Sequence, residues 1–270
     1  IAAKDAFPHW QPELWRNWHP PKDFVNAARF ELLEVDIKRF AEIAPQDKRL
    51  ALPTPAVSLP LVLTYPREGS VLFETTKSGN EPVIAALNNI LFRLLAMSPA
   101  GKLSLTIIDP VKLGQSFPAI SHLADFEENI INGRIWTQSN QIDEKLAELN
   151  EHMEKVIQMY LRNEYATIVE YNEQAGRIAE KYHFLVIADF PTNFSDLAVK
   201  RLQSIVASGP RCGVYTLIHW DQRKSAPVEF VPDELRKSSV CIQAKGDEFT
   251  LAGQPLEGTS LRLDSQPDPE

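Results

Sequence analysis

Val71-Leu72-Phe73-Glu74-Thr75-Thr76-Lys77-Ser78-Gly79-Asn80-Glu81-Pro82 is the stretch on which the fold turns. Three apolar residues feed a tight polar turn, and an apolar-periodic helix begins right behind it. Strand, loop and helix in that order is where a phosphate-binding loop of the pattern G-x-x-x-x-G-K-[ST] sits. Laid on that pattern, Gly79 holds the second glycine. Glu74 stands for the first glycine, Asn80 for the lysine and Glu81 for the hydroxyl residue. The lysine of such a loop reaches the β- and γ-phosphates, and the hydroxyl ligates Mg²⁺. Asn80 brings no charge, and Glu81 places a carboxylate at the helix terminus that otherwise attracts an anion. Asn80 also reads as the helix cap, with Pro82 in the first turn giving up an N–H that has no intrahelical partner. Lys77 offers a cation from the other end of the loop. An ordinary strand-to-helix turn unrelated to phosphate remains the alternative at this point.

Working outward, Val83, Ile84, Leu87, Ile90, Leu91, Leu94 and Leu95 recur at helical spacing up to Met97, as in a helix buried against a sheet. Leu103–Ile108 reads as a strand ending in Asp109-Pro110, and His183–Asp189 as a continuous apolar strand with an acid at its C-terminal end. A long helix is expected over Gln141–Ala175 and another over Phe194–Val206. Further strands are expected at Gly213–Ile218 and Ser239–Gln243, then a short hairpin from Phe249–Ala252 and Leu261–Leu263. Upstream, Arg29–Ile37 alternates apolar and charged residues as a half-buried strand does, and Ile37–Ile43 reads as a short helix. Residues 45–66 read as a proline-punctuated connector. Residues 1–22 hold Trp10, Trp15 and Trp18 among prolines, an arm whose indoles dock on a neighbouring surface. Apolar strands alternating with helices predict a mainly parallel sheet covered on both faces, with Glu74, Asp109, Asp189 and Trp220 on its C-terminal edge. The divisions expected are 1–60 for the extension and connector, 61–245 for the main domain and 246–270 for the hairpin and tail.

The chain has 270 residues and a net charge of −8, which argues against broad nucleic-acid binding. It contains no apolar run long enough to cross a bilayer. Cys212 and Cys241 lie far apart, so no zinc site or disulfide framework is expected and both thiols read as buried. The six histidines show no metal-ligand spacing. A cytoplasmic setting is expected, as part of a longer chain.

Several segments in the same order resemble the FtsK/SpoIIIE family of DNA-translocase motor domains. Glu74-Thr75-Thr76-Lys77-Ser78-Gly79-Asn80-Glu81 is similar to the family's nucleotide loop, and Ile108-Asp109-Pro110-Val111-Lys112 with Ile120-Ser121-His122-Leu123 to its next motif. Asn150-Glu151-His152-Met153-Glu154 and Tyr171-Asn172 resemble a helix and the pair after it. Asp189-Phe190 matches the acidic Walker B pair, and Gln222-Arg223 a glutamine-arginine pair after the following strand. The resemblance covers about residues 30–245 and implies a three-layer RecA-like P-loop NTPase fold, with helices on both faces of a mainly parallel sheet.

It also implies a nucleotide site at Thr75, Thr76, Lys77, Ser78, Gly79, Asn80, Glu81, Asp189 and Gln222, with ATP and Mg²⁺ bound if the loop still functions. The departures predict otherwise. The lysine, the Mg²⁺-ligating hydroxyl and the Walker B glutamate are replaced by Asn80, Glu81 and Phe190, so no catalytic residue, no metal and no cofactor are expected. Asp189 is then a remnant that caps the following turn. At the offsets where family members touch DNA, the chain has Glu164, Tyr165, Ala166, Thr167 and Glu170, and carboxylates there oppose phosphate contact. Arg211 stands where a trans-acting arginine could reach a neighbour's nucleotide, and simple surface exposure is the reading preferred for it. The expected function is that of a degenerate ATPase domain, a scaffold or regulator packed against sister ATPase domains of a longer chain or ring. The alternatives are an active double-stranded DNA translocase and a nucleotide-binding, non-hydrolysing switch.

Overall fold

The computed structural model describes residues 10, 15–24, 28–40, 47, 49, 56–64, 66, 68–246, 248–253, 258–264 and 267. The chain-order elements are β1 (Ala28–Asp36), α1 (Ile37–Phe40), β2 (Ala56–Leu63), β3 (Val71–Thr75), α2 (Asn80–Met97), β4 (Leu103–Ile108) and α3 (Pro118–Leu123). They continue with α4 (Ser139–Lys155), α5 (Ile168–Ala175), β5 (Tyr182–Phe190), α6 (Asp196–Ser208), β6 (Val214–Asp221), α7 (Pro232–Lys237), β7 (Val240–Lys245), β8 (Glu248–Leu251) and β9 (Thr259–Leu263).

The described strands form one sheet in the order β2-β1-β9-β8-β7-β3-β6-β5-β4. From β7 to β4 neighbouring strands run parallel. From β7 to β2 they run antiparallel. Every residue of β3, β4 and β6 is buried, as strands covered on both faces require. The crossover from β3 to β4 runs across the sheet in one direction, and those from β4 to β5, β5 to β6 and β6 to β7 run in the other. Right-handed connections therefore put α2 on one face and α4, α6 and α7 on the opposite one. The contacts agree: α2 packs on β1, β6 and β9, whereas α6 packs on α4 and α7.

Two expectations are corrected. The connector over 45–66 contains β2, an edge strand with Pro60 inside it, paired along its length with β1. The long helix over 141–175 is three pieces. After α4 the chain widens into a π-helical turn, Val156–Leu161, closed by Arg162 N–H donating to Ile157 O at 3.1 Å. Arg162 (φ 43°) and Asn163 (φ 61°) then turn left-handed, which ends the helix before α5. Smaller shifts have local causes. α6 starts at Asp196 because the Ser195 hydroxyl accepts the Ala198 N–H at 3.0 Å. The expected terminal strands exist as β8 and β9 but share only the pair Phe249–Leu261, β9 lying mainly against β1. Of the short helix expected over 37–43, α1 covers Ile37–Phe40 and the rest lies outside the described residues.

The tryptophan arm docks on the chain's own α2. The Trp10 indole N–H donates to Asn89 Oδ1 at 2.7 Å, and that of Trp18 to Ala96 O at 3.2 Å. The Arg93 guanidinium lies 4.0 Å from the Trp10 ring centroid. Residues 1–9 and 11–14 of the arm lie outside the described residues. Cys212 is buried and Cys241 half-buried, both as free thiols whose surroundings push them up to about 11.

Candidate functional site

The C-terminal ends of β3, β5, β6 and β7 converge on the loop between β3 and α2. Glu74, in the first-glycine position, is 3 % exposed and its carboxylate is fully engaged from within the chain. Arg236 of α7 donates from Nε to Oε1 and from Nη2 to Oε2, both at 2.8 Å. Gln222 Nε2 donates to Oε2 at 2.6 Å, and Gln243 Nε2 approaches the same oxygen at 3.5 Å. The guanidinium beside Glu74 gains extra hold on its proton, against the opposing effect of burial.

Beyond Glu74 the backbone bends through Thr76, Lys77 and Ser78, with Thr76 and Lys77 exposed. Asn80 is the first helical residue and not the cap that the sequence suggests. The cap is Gly79, at φ 98°, with no side-chain cap bond. Only glycine takes that φ without strain, and space requires it as well. A Cβ there would stand 3.2 Å from Phe249 of β8 and 3.3 Å from Ala244 of β7. Ser78 Oγ donates to Gly246 O at 2.7 Å, so the β7–β8 turn holds the loop from that side. Asn80 Nδ2 reaches Asp221 Oδ2 at 3.5 Å, while its Oδ1 is buried without a partner. Arg223 clamps Asp221 with Nε and Nη2, each at 2.8 Å, and holds its carboxyl below the usual range. Glu81 is exposed.

Asp189 (φ 54°) ends the regular part of β5. Its backbone carbonyl accepts the Thr192 N–H, as any residue at that turn position could, and its carboxylate faces His219. The fully buried His219, on the strand between β3 and β5, joins the two ends. Its Nε2 lies 2.9 Å from Thr75 Oγ1, and its Nδ1 lies 3.3 Å from both the amide N and Oδ1 of Asp189. The two Nδ1 contacts make opposite demands on the tautomer: the amide needs a lone pair there, the carboxylate an N–H. Phe190, in the Walker B glutamate position, is fully buried. Its ring packs edge-on against Phe194 and Phe230, at 5.0 and 5.1 Å between centroids, and Phe230 packs against Trp220 at 5.0 Å.

The structure thus brings Thr75, Asn80, Asp189 and Gln222 to one edge and leaves Thr76, Lys77 and Glu81 facing outward. Asp109 lies on the same edge, but its carboxylate accepts the N–H groups of Lys112, Gly114 and Ser116 at 3.2, 2.9 and 3.1 Å and so shapes its own loop. Asn172 exchanges hydrogen bonds with the Glu180 backbone. Glu170 accepts the Ala166 N–H at 2.9 Å and Thr167 accepts that of Glu170, so these residues start α5. Arg211 Nε donates to Ala166 O at 2.9 Å. Arg236, Gln243 and His219 are the residues that sequence reasoning missed as partners here. Each comes from a distant strand or helix, and no local spacing marks it.

No family model and no curated protein matches the chain. Solved structures do match in fold. The EssC fragment with ATPases 2 and 3 from Geobacillus thermodenitrificans aligns with TM-score 0.62 and 12 % identity, over 98 % of this chain and 49 % of that one. The cytoplasmic domain of the type VII secretion ATPase EccC from Thermomonospora curvata aligns with TM-score 0.55 and 13 % identity, over 97 % and 31 %. The pCW3 conjugation coupling protein TcpA, in its monomer form with ATPγS, aligns with TM-score 0.56 and 13 % identity, over 74 % and 62 %. These neighbours are FtsK/SpoIIIE-type ATPase domains, and the chain shares their fold. It spans less than two thirds of each of them.

Proposed function

We propose that this chain is a degenerate ATPase domain of the FtsK/SpoIIIE type, acting as scaffold or regulator beside sister ATPase domains of a longer motor. Glu74 carries this reading. The loop of a working site offers backbone N–H groups and a cation to phosphate oxygens. Here Arg236, Gln222 and Gln243, three groups able to meet such oxygens, are held by the chain's own carboxylate. The remaining residues fit a magnesium nucleotide no better. Asn80 supplies no charge, Glu81 adds a negative one at the helix terminus, and Phe190 can accept no proton. Phosphoryl transfer rests on positioning and charge stabilisation, so losing the cation and the base together removes its main supports.

The sister-domain reading is supported by EssC and EccC structures that carry more than one ATPase domain in a chain. Contact with DNA is disfavoured by the net charge of −8 and by Glu164 and Glu170 at the family's DNA-facing offsets. Calorimetric titration with Mg-ATP, followed by phosphate release with and without duplex DNA, tests the proposal. No binding heat at ~1 mM nucleotide and no release are expected. Saturable binding without release would replace the scaffold with a nucleotide switch, and DNA-stimulated release would replace it with a motor.

A further inference from the structure

Glu31 lies in β1 with 0 % exposure, and neither of its carboxylate oxygens has a hydrogen-bond partner. Its register neighbours on both flanking strands are apolar, Leu61 in β2 and Leu263 in β9. The charged group that acts on it is Asp264, just beyond β9; Arg29 on the same strand and Arg93 on α2 lie in turn beside Asp264. Arg29 pairs with Asp264 at 2.7 Å. Arg93 is itself buried, with Nε and Nη2 unpartnered, and burial beside Arg29 brings it down to about 10. An ionised carboxylate at Glu31 would lose water and gain no partner, so the group stays neutral instead. Burial, reinforced by Asp264, holds Glu31 well above the usual carboxylate range.

The strand carrying Glu31 belongs to a part of the sheet whose registered seam with the rest is short. Five registered pairs join β9 to β1 and four join β8 to β7, whereas among the described residues β9 and β8 share one registered pair, Phe249–Leu261. The β2–β1–β9 section meets the rest of the molecule along the β8–β9 seam, where the strands pack beyond that pair, and on α2. Phe249 is also the residue that Gly79 abuts in the loop before α2.

We propose that the β2–β1–β9 section is a proton-latched flap, docked on α2 while Glu31 is protonated and released from it when Glu31 ionises. The open flap returns Glu31 to water and to its ordinary acidity, near about 4.3. Docked and open states then differ by one bound proton between that value and the raised one. Across this window opening grows about ten-fold more populated per pH unit, and above it the effect levels off. Because Phe249 sits at both the β8–β9 seam and Gly79, opening also loosens the loop. The latch does not depend on whether the loop binds nucleotide.

Hydrogen exchange on the full chain from pH 5 to 9, corrected for intrinsic exchange, tests the proposal. Amides of Glu31–Val35 and Thr259–Leu263 are expected to lose protection as pH rises, while those of Leu105–Ile108 hold theirs. In Glu31→Gln, whose amide stands in for the protonated acid, the loss disappears. The Glu31 carboxyl ¹³C resonance of the wild-type protein gives a second measurement that needs no variant. Titration of that carbon at ordinary carboxylate acidity overturns the proposal, as does an unchanged pH dependence in Glu31→Gln.

Discussion

Glu74 and Arg236 lie 162 residues apart in sequence and meet through two parallel hydrogen bonds of 2.8 Å. The carboxylate is almost wholly buried and the guanidinium about a third exposed. Removing the arginine therefore strands a charge that water cannot reach. Arg236→Ala is expected to cost about 3 kcal/mol in denaturant unfolding, the low end for a broken buried pair because one partner is partly solvated. Replacing both residues with leucine recovers most of the loss. A single variant within ~0.5 kcal/mol of wild type would show the pair to be unimportant for stability.

Restoring two consensus residues of the loop is not expected to produce nucleotide binding. Asn80→Lys with Glu81→Ser supplies the missing cation and hydroxyl, yet Glu74 still occupies Arg236 and the loop still lies against Phe249 and Ala244. Calorimetry with Mg-ATP on this double variant is expected to show no binding. A saturable titration would mean that only the loop residues, and not the pocket around them, have been lost.

His183 sits at the start of β5 with its ring 4.6 Å from that of His152, and burial beside His152 and Lys181 pulls it down to about 3. The unfolded chain keeps the ordinary value near about 6.5. The folded pKa is thus depressed, so the unfolded state takes up the proton first. The His183 contribution to stability is full above about pH 6.5 and is lost as pH drops towards 3, by up to ~1.4 kcal/mol per unit, opposite in sign to the Glu31 contribution. His152, also lowered by burial, adds to the same slope. The difference in unfolding free energy between wild type and His183→Gln at pH 7.5, 6 and 5 measures the His183 contribution. A wild-type slope equal to that of the variant would contradict the assignment.

Trp10 joins the arm to α2 by an indole bond to Asn89 and by lying under Arg93. Trp10→Phe keeps the ring and loses the bond, for about 1 kcal/mol. Trp10→Ala also loses ring packing and the cation–π contact and is expected to cost about 3 kcal/mol. Equal effects from the two variants would rule out the ring contribution.

The parallel core was legible because its cause is local. Val71–Phe73, Leu103–Ile108 and His183–Ala188 are apolar runs bounded by turns, and strands buried on both faces read that way. β2 was hidden by Pro60, which suggests a break, although an edge strand tolerates a missing N–H. The break after Leu161 was hidden because no glycine or proline interrupts Gln141–Ala175, although the backbone turns left-handed at Arg162 and Asn163. At the site, the chemistry of Asn80, Glu81 and Phe190 could be read directly. The partners of Glu74 could not, since α7 and β7 reach it only through the fold. Asp109 misleads in the other direction: an acid at a strand end looks available, and three backbone N–H groups already hold it.

The two outer strands of the sheet are treated differently. β4 is buried throughout, and Trp136 bridges its end at Ile108, whereas the first half of β2 is exposed with Val57 and Leu59 uncovered. An incoming extended segment that extends the sheet by backbone pairing thus has its opening at Ala56–Leu63. Pro60, with no N–H to offer, interrupts that template midway and keeps any such addition short.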